Sequence, residues 1–179
     1  IFSIIAIGCM FAYSYAIDYM TATETFIEEM TTEVVETEDY YVFQTPMVSS
    51  YVGPADGKGI IFYPGGKVEE TAYAPLLLKL AEQGYEVYLV KMPAKLAIFG
   101  MNAAEDIIKE ADHIKGWTMM GHSLGGAMAA SFSAGHDEEI EQLVLLAAYS
   151  TEDLTDKEIE VFSFYGTEDK VLNMEKYEE

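Results

Sequence analysis

The residue whose surroundings most clearly encode chemistry is Ser123. It stands in Gly121-His122-Ser123-Leu124-Gly125 and is followed by Gly126-Ala127-Met128-Ala129-Ala130. A serine hydroxyl is a weak nucleophile until the fold and a neighbouring base activate it. A strand that turns sharply into a helix presents such a serine at the top of a sheet, in a strained backbone conformation. Side chains two residues before and two residues after the serine would collide across that turn. Gly121 and Gly125 remove the collision, and Gly126 lets the helix lie close to the strands. The string gains its meaning from its context, between strand-like Trp117-Thr118-Met119-Met120 and an alanine-rich helical segment. The chemistry this predicts is nucleophilic attack on an acyl carbon.

A serine held this way needs a sheet beneath it, and the rest of the chain supplies the pattern. Residues 59–63 (GIIFY) form a short continuous apolar run, as in a strand buried on both faces. Strands are also predicted at 40–44, 47–52, 85–90, 117–120, 143–148 and 159–165. Helices are predicted at 70–83, with Leu76, Leu77 and Leu80 inward and Gly84 as the stop, at 102–113 behind an Asn102 cap, and at 124–134. Gly53-Pro54 and Asp56-Gly57 read as turns. Strands alternating with helices imply an α/β fold with a mostly parallel sheet and helices on both faces. No internal repeat is visible.

Together the elbow, the run Phe62-Tyr63-Pro64-Gly65-Gly66-Lys67 and the turn Gly166-Thr167-Glu168-Asp169 give residues 58–170 a resemblance to the α/β-hydrolase superfamily. Within it, the chain resembles small bacterial hydrolases related to the dienelactone-hydrolase branch. The resemblance implies an oxyanion hole built from two backbone N–H groups. One comes from the residue after the nucleophile, Leu124; the other comes from Gly66, with Lys67 as the neighbouring candidate. It also implies a catalytic acid at Asp169, with Glu168 as the lesser alternative, whose work is to orient a histidine.

The histidine itself is the gap. The chain has three, His113, His122 and His136, and none follows Asp169, whereas the superfamily order is serine, acid, histidine. His122 sits beside the nucleophile and is expected to point away from its oxygen. The expectation is that the fold is C-terminally truncated here, with the base on a further segment.

Composition narrows the partners. Ten basic against 31 acidic residues give a net charge of −21, and every basic residue is a lysine. Such a chain repels a phosphate backbone, so no nucleic-acid partner is expected. The single cysteine, Cys9, forms no intrachain disulfide, and no ligand-spaced His/Cys cluster suggests a metal or other cofactor.

Residues 1–17 carry no charge and end in aromatics. As a helix they would cover roughly 25 Å, a little less than a ~30 Å hydrocarbon core, with Tyr13, Tyr15 and Tyr19 placed for an interfacial belt. A hydrophobic anchor helix over 1–20 is the first reading. A cleaved signal, a lipoprotein signal at Ile7-Gly8-Cys9 and a buried core helix remain alternatives. The next segment, 21–39, reads as an acidic stalk, with Phe26, Ile27, Met30, Val34 and Val35 at helical spacing, leaving 40–179 as the hydrolase-like domain. No lysine precedes Lys58, so the domain is expected on the extracytoplasmic side of the membrane.

Residues 149–158 leave no room for a cap domain, and the apolar loop 92–100, through Leu96, Ile98 and Phe99, reads equally well as a pocket wall or as core. The expected activity is hydrolysis of a small-molecule ester or thioester. Acyl transfer to another acceptor and a non-catalytic binding protein on the same fold are the alternatives.

Overall fold

The computed structural model describes residues 18–22, 34–44 and 57–178. Seven strands in one sheet carry the described part of the chain: β1 (Val34–Glu36), β2 (Tyr40–Phe43), β3 (Lys58–Tyr63), β4 (Glu86–Val90), β5 (Gly116–His122), β6 (Ile140–Leu146) and β7 (Glu160–Phe164), in the order β1-β2-β4-β3-β5-β6-β7. From β4 to β7 all neighbours are parallel, and β1 and β2 add an antiparallel edge. The helices are α1 (Ala74–Ala81), α2 (Ala104–Glu110), α3 (Leu124–Gly135) and α4 (Met174–Glu178).

The apolar run of β3 is buried on both faces, as its composition demands. Ile60 and Phe62 point into a core with Leu77 and Ala81 of α1. Ile61 and Tyr63 point into a second core with Ile107 of α2 and Ala129 and Phe132 of α3. Helices therefore cover both faces of the sheet. After β3 the chain moves outward to β4, and after β5 it moves the other way through β6 to β7. The crevice between the C-terminal ends of β3 and β5 is thus the topological switch point, where open α/β sheets bind ligands.

Several local expectations change. The helix expected over 70–83 splits into a 3-10 turn, Glu70–Tyr73, and α1. Pro75 explains the break: within a continuing α-helix its ring would meet the carbonyl of Thr71, and that carbonyl instead accepts the Ala74 N–H. The buried stripe of α1 is Ala74, Leu77 and Ala81, whereas Leu76 is exposed. Val34 and Val35, expected on a stalk helix, belong to β1 and pair with Phe43 and Val42 of β2. The other stalk positions, the strand at 47–52, the turns at 53–56 and the hydrophobic segment 1–17 lie outside the described residues. Among the described residues no helix is long and apolar enough to cross a membrane. The connection from β6 to β7 contains turns only.

Asn102 does not cap α2 with its side chain. The cap comes from the sheet: the fully buried Tyr63 Oη accepts the Ala104 N–H at 3.0 Å and donates to the Met101 carbonyl at 2.6 Å. Tyr63→Phe leaves a buried N–H and a carbonyl without partners, so it is expected to cost about 1–3 kcal/mol in urea unfolding. A loss below about 0.5 kcal/mol would show that water replaces both bonds.

Candidate active site

Ser123 closes the turn between β5 and α3 with φ 51° and ψ −122°. A residue with a Cβ enters this region only when its surroundings impose it. The imposing contacts are visible. The Ser123 N–H donates to the Leu146 carbonyl at 2.9 Å, and the Ser123 carbonyl accepts the Ala127 N–H at 3.1 Å. Each glycine of the motif answers a close approach. A Cβ on Gly121 would lie 2.5 Å from the Gly125 carbonyl oxygen, and one on Gly126 would lie 2.5 Å from the Ala148 Cβ. A Cβ on Gly125 would run into the carbonyl oxygens of Tyr63 and Pro64.

The elbow opens onto a pocket of about 600 Å³, whose lining includes Gly66, Ser123, Leu124 and Asp169. All four sequence-predicted site residues therefore meet in one cavity. Leu124 is the first residue of α3, so its N–H has no acceptor within the helix. In the loop after β3, Gly65 N–H donates to Tyr73 Oη at 3.0 Å and Lys67 N–H donates to the Lys95 carbonyl at 2.9 Å. Both flanking amides are thus committed, and Gly66 between them borders the pocket. The N-terminus of α3 adds its positive field on the same side.

Asp169 is partly buried at the turn after β7. Its Oδ1 accepts the N–H groups of Val171 at 2.7 Å and Leu172 at 3.0 Å. These two bonds hold its carboxyl below the usual carboxylate range, with His122 adding a smaller through-space contribution in the same direction. It is ionised at neutral pH. Glu168 is exposed and does not border the pocket.

The histidines divide by position. His113 pairs with Glu86 at 3.2 Å, and His136 Nδ1–H donates to the Phe132 carbonyl at 2.9 Å, its ring stacked on Phe132 at 4.0 Å between centroids. Neither borders the pocket. His122 does, half-buried beside Ser123, but its Nδ1 is engaged by Tyr73 Oη at 2.9 Å. Among the described residues no hydrogen bond joins it to Ser123 Oγ. Burial pushes the imidazole below its ordinary value, and the Asp169 carboxylate pulls weakly the other way, so it is neutral at pH 7.

The apolar lining departs from the sequence expectation. Ile98 and Phe99 are exposed, and neither they nor Leu96, whose Cδ2 would lie 3.5 Å from a Cβ on Gly66, line the pocket. The wall is made by Met20, Val68, Tyr149, Val171 and Leu172. Met20 arrives from far away in the chain. Its N–H donates to the Lys67 carbonyl and its carbonyl accepts the Glu69 N–H, both at 2.8 Å, forming a bridge beside the Gly66 loop. No local pattern around Met20 announces that pairing.

The chain matches the profile described as "Alpha/beta hydrolase family" over residues 59–179, and it belongs to that family. No curated protein sequence matches it. Among solved structures it is similar to carboxyl esterase 2 from the mycorrhizal fungus Tuber melanosporum, with 14% identity, a TM-score of 0.54, and 76% of this chain covering 52% of that one. It is also similar to Paleococcus ferrophilus monoacylglycerol lipase, with 20% identity, a TM-score of 0.50, and 69% of this chain covering 48% of that one. At these identities the likeness is one of fold. The chain spans about half the length of these structures.

Proposed function

We propose that this protein is a serine hydrolase that cleaves a carboxylic ester or thioester of a small molecule. The observation that carries this is the strained Ser123, which shares one pocket with the Gly66 and Leu124 amides and the Asp169 carboxylate. Ser123 Oγ attacks the substrate carbonyl carbon, and its proton passes to a histidine base. The carbonyl oxygen becomes an oxyanion held by the Gly66 and Leu124 N–H groups, each worth about 3 kcal/mol in the transition state. Collapse expels the alcohol or thiol, protonated by the histidine, and water releases the acid by the same route. Asp169 orients the imidazole and stabilises its protonated form.

The base is proposed to lie on chain beyond residue 179. Two observations support this. His113 and His136 stand away from the pocket, and His122 is tied to Tyr73. Strand β7 also presents Val161 and Phe162, from successive positions and hence opposite faces, to solvent at 44% and 38% exposure, a surface suited to further packing. A membrane tether through the uncharged run 1–17, with the domain on the extracytoplasmic side, completes the proposal and rests on that run and the lysine-free flank. Residues 18–20 of the expected anchor helix are not helical, since Met20 bridges Val68 at the pocket.

The absence of a described base in contact with Ser123 also favours one other reading, a non-catalytic binding protein on this fold. A fluorophosphonate probe applied to the complete gene product separates the two. Labelling of the wild type that disappears in Ser123→Ala is expected. An unlabelled wild type that also turns over no p-nitrophenyl ester removes the hydrolase proposal.

A further inference from the structure

The sequence placed His122 beside the nucleophile and gave it no task. Its ring nitrogen Nδ1 lies 2.9 Å from Tyr73 Oη, and that oxygen lies 3.0 Å from the Gly65 amide nitrogen. Gly65 is the residue before Gly66, and His122 is the residue before Ser123. One hydrogen-bonded chain therefore connects the loop that carries the first oxyanion donor to the elbow that carries the nucleophile and the second donor. Proton counting fixes its direction. Tyr73 Oη accepts from Gly65 N–H, and Tyr73 is largely buried, so its single proton needs an acceptor. Nδ1 of His122 is the acceptor within reach, which places the imidazole proton on Nε2.

The local sequence is shaped around this contact. A Cβ on Gly65 would sit 2.6 Å from His122 Nδ1 and 2.8 Å from Tyr73 Oη, so a glycine there is what admits both groups. The Tyr73 ring is braced by Phe62 of β3 at 4.7 Å and by the His122 ring at 5.8 Å, between centroids. The 3-10 turn that precedes α1 holds Tyr73 at this point. Gly66 is held through its neighbours, Gly65 by Tyr73 Oη and Lys67 by the Lys95 carbonyl, so Tyr73 supplies one of the two anchors that aim its amide.

We propose that Tyr73 and His122 are positioning residues that fix the oxyanion loop against the nucleophile elbow through the chain Gly65 N–H to Tyr73 Oη–H to His122 Nδ1. The assignment rests on the reading of Ser123 as the nucleophile and of Gly66 and Leu124 as the oxyanion donors. Neither side chain touches substrate in this scheme. Both act by setting the separation and aim of two backbone amides that must converge on one oxygen, where a displacement of about 1 Å costs roughly 100-fold in rate.

The test uses the complete gene product with p-nitrophenyl butyrate. Tyr73→Phe keeps the ring packing and removes the hydroxyl. It is expected to lower kcat about 10- to 100-fold while KM changes less than about twofold, because the lost alignment matters in the transition state. His122→Ala is expected to fall by a similar factor. The double variant is expected to fall no further than the worse single one, since both break the same chain. A Tyr73→Phe protein with wild-type kcat, or losses that multiply in the double variant, overturns the relay while leaving the Ser123 chemistry standing. A second measurement does not depend on turnover. In 15N-labelled protein near pH 7.5, His122 Nδ1 is expected to be unprotonated, and its resonance to shift in Tyr73→Phe. A protonated Nδ1, or one indifferent to Tyr73→Phe, overturns the relay even if no ester is cleaved. A protein that shows the Nδ1 signature yet is neither active nor labelled sinks the hydrolase reading alone.

Discussion

Gly125→Ala is expected to destabilise the domain by about 3 kcal/mol and to abolish fluorophosphonate labelling of Ser123. The new methyl group would enter the space of the Tyr63 and Pro64 carbonyl oxygens. These are backbone atoms at the end of the central strand β3, so no rotamer change relieves the clash. Either α3 moves away from the sheet or the loop carrying Gly65 and Gly66 moves away from the elbow. The first loses the packing of Ala129 and Phe132 in the core they share with Ile61 and Tyr63, and the second separates the two proposed oxyanion donors. For a domain of this size a 3 kcal/mol loss corresponds to roughly 6–12 °C in Tm. Gly135→Ala is the matched control. It lies at the other end of the same helix, and nothing stands within 4 Å of its added Cβ. It is expected to be neutral or to stabilise by up to about 1 kcal/mol. Urea unfolding of the two variants side by side decides the matter. A Gly125→Ala loss below about 1 kcal/mol would mean that the elbow is not packed as described.

The difference between these two glycines shows what was legible in the sequence. The spacing of Gly121, Ser123 and Gly125 after an apolar strand reports a local steric problem, and local problems are written in local residues. The same holds for residues 59–63, whose unbroken apolar run places them in the middle of the sheet. Of Leu76, Leu77 and Leu80, which the helical spacing nominated, Leu77 is buried and Leu80 partly so, while Leu76 is exposed and Ala81 takes a core place, because a helix stripe read without its kink is set at the wrong angle. Pro75 is the residue that carries that correction. Partnerships across the chain were not readable. Val34 and Val35 fit a helical period, and only the edge offered by β2 makes them a strand. Asn102 is a good capping residue by type, but Tyr63 reaches the helix terminus from β3 and satisfies it first. Met20 borders the pocket through backbone bonds to Lys67 and Glu69, which any residue type could make. Tyr73 lies eight positions beyond Gly65 in a different element, and its link to His122 follows from the packing of β3 against β5.

Ser123→Gly is expected to raise the stability of the fold while removing its activity. At φ 51° and ψ −122° a side chain is strained, and strain of this kind costs about 1–3 kcal/mol. Glycine carries no such penalty, although its unfolded chain is more flexible by about 0.5–1 kcal/mol. The net expectation is a gain of about 1 kcal/mol, or roughly 2–4 °C in Tm. Turnover falls by about 10⁴-fold or more, since the attacking oxygen is gone. Ser123→Ala loses the same oxygen but keeps a Cβ in the same backbone conformation, so it retains most of the strain. The comparison of the glycine and alanine variants therefore isolates the backbone cost from the chemistry. Equal stability in the two would mean that the elbow stores no strain. A glycine variant that is the more stable would show that the bonds from Ser123 N–H to Leu146 and from Ala127 N–H to Ser123 hold the serine in a conformation it would otherwise leave. That conformation is what turns its hydroxyl toward the pocket shared with the Gly66 and Leu124 amides, so the stability given up at this residue is tied to the proposed reaction.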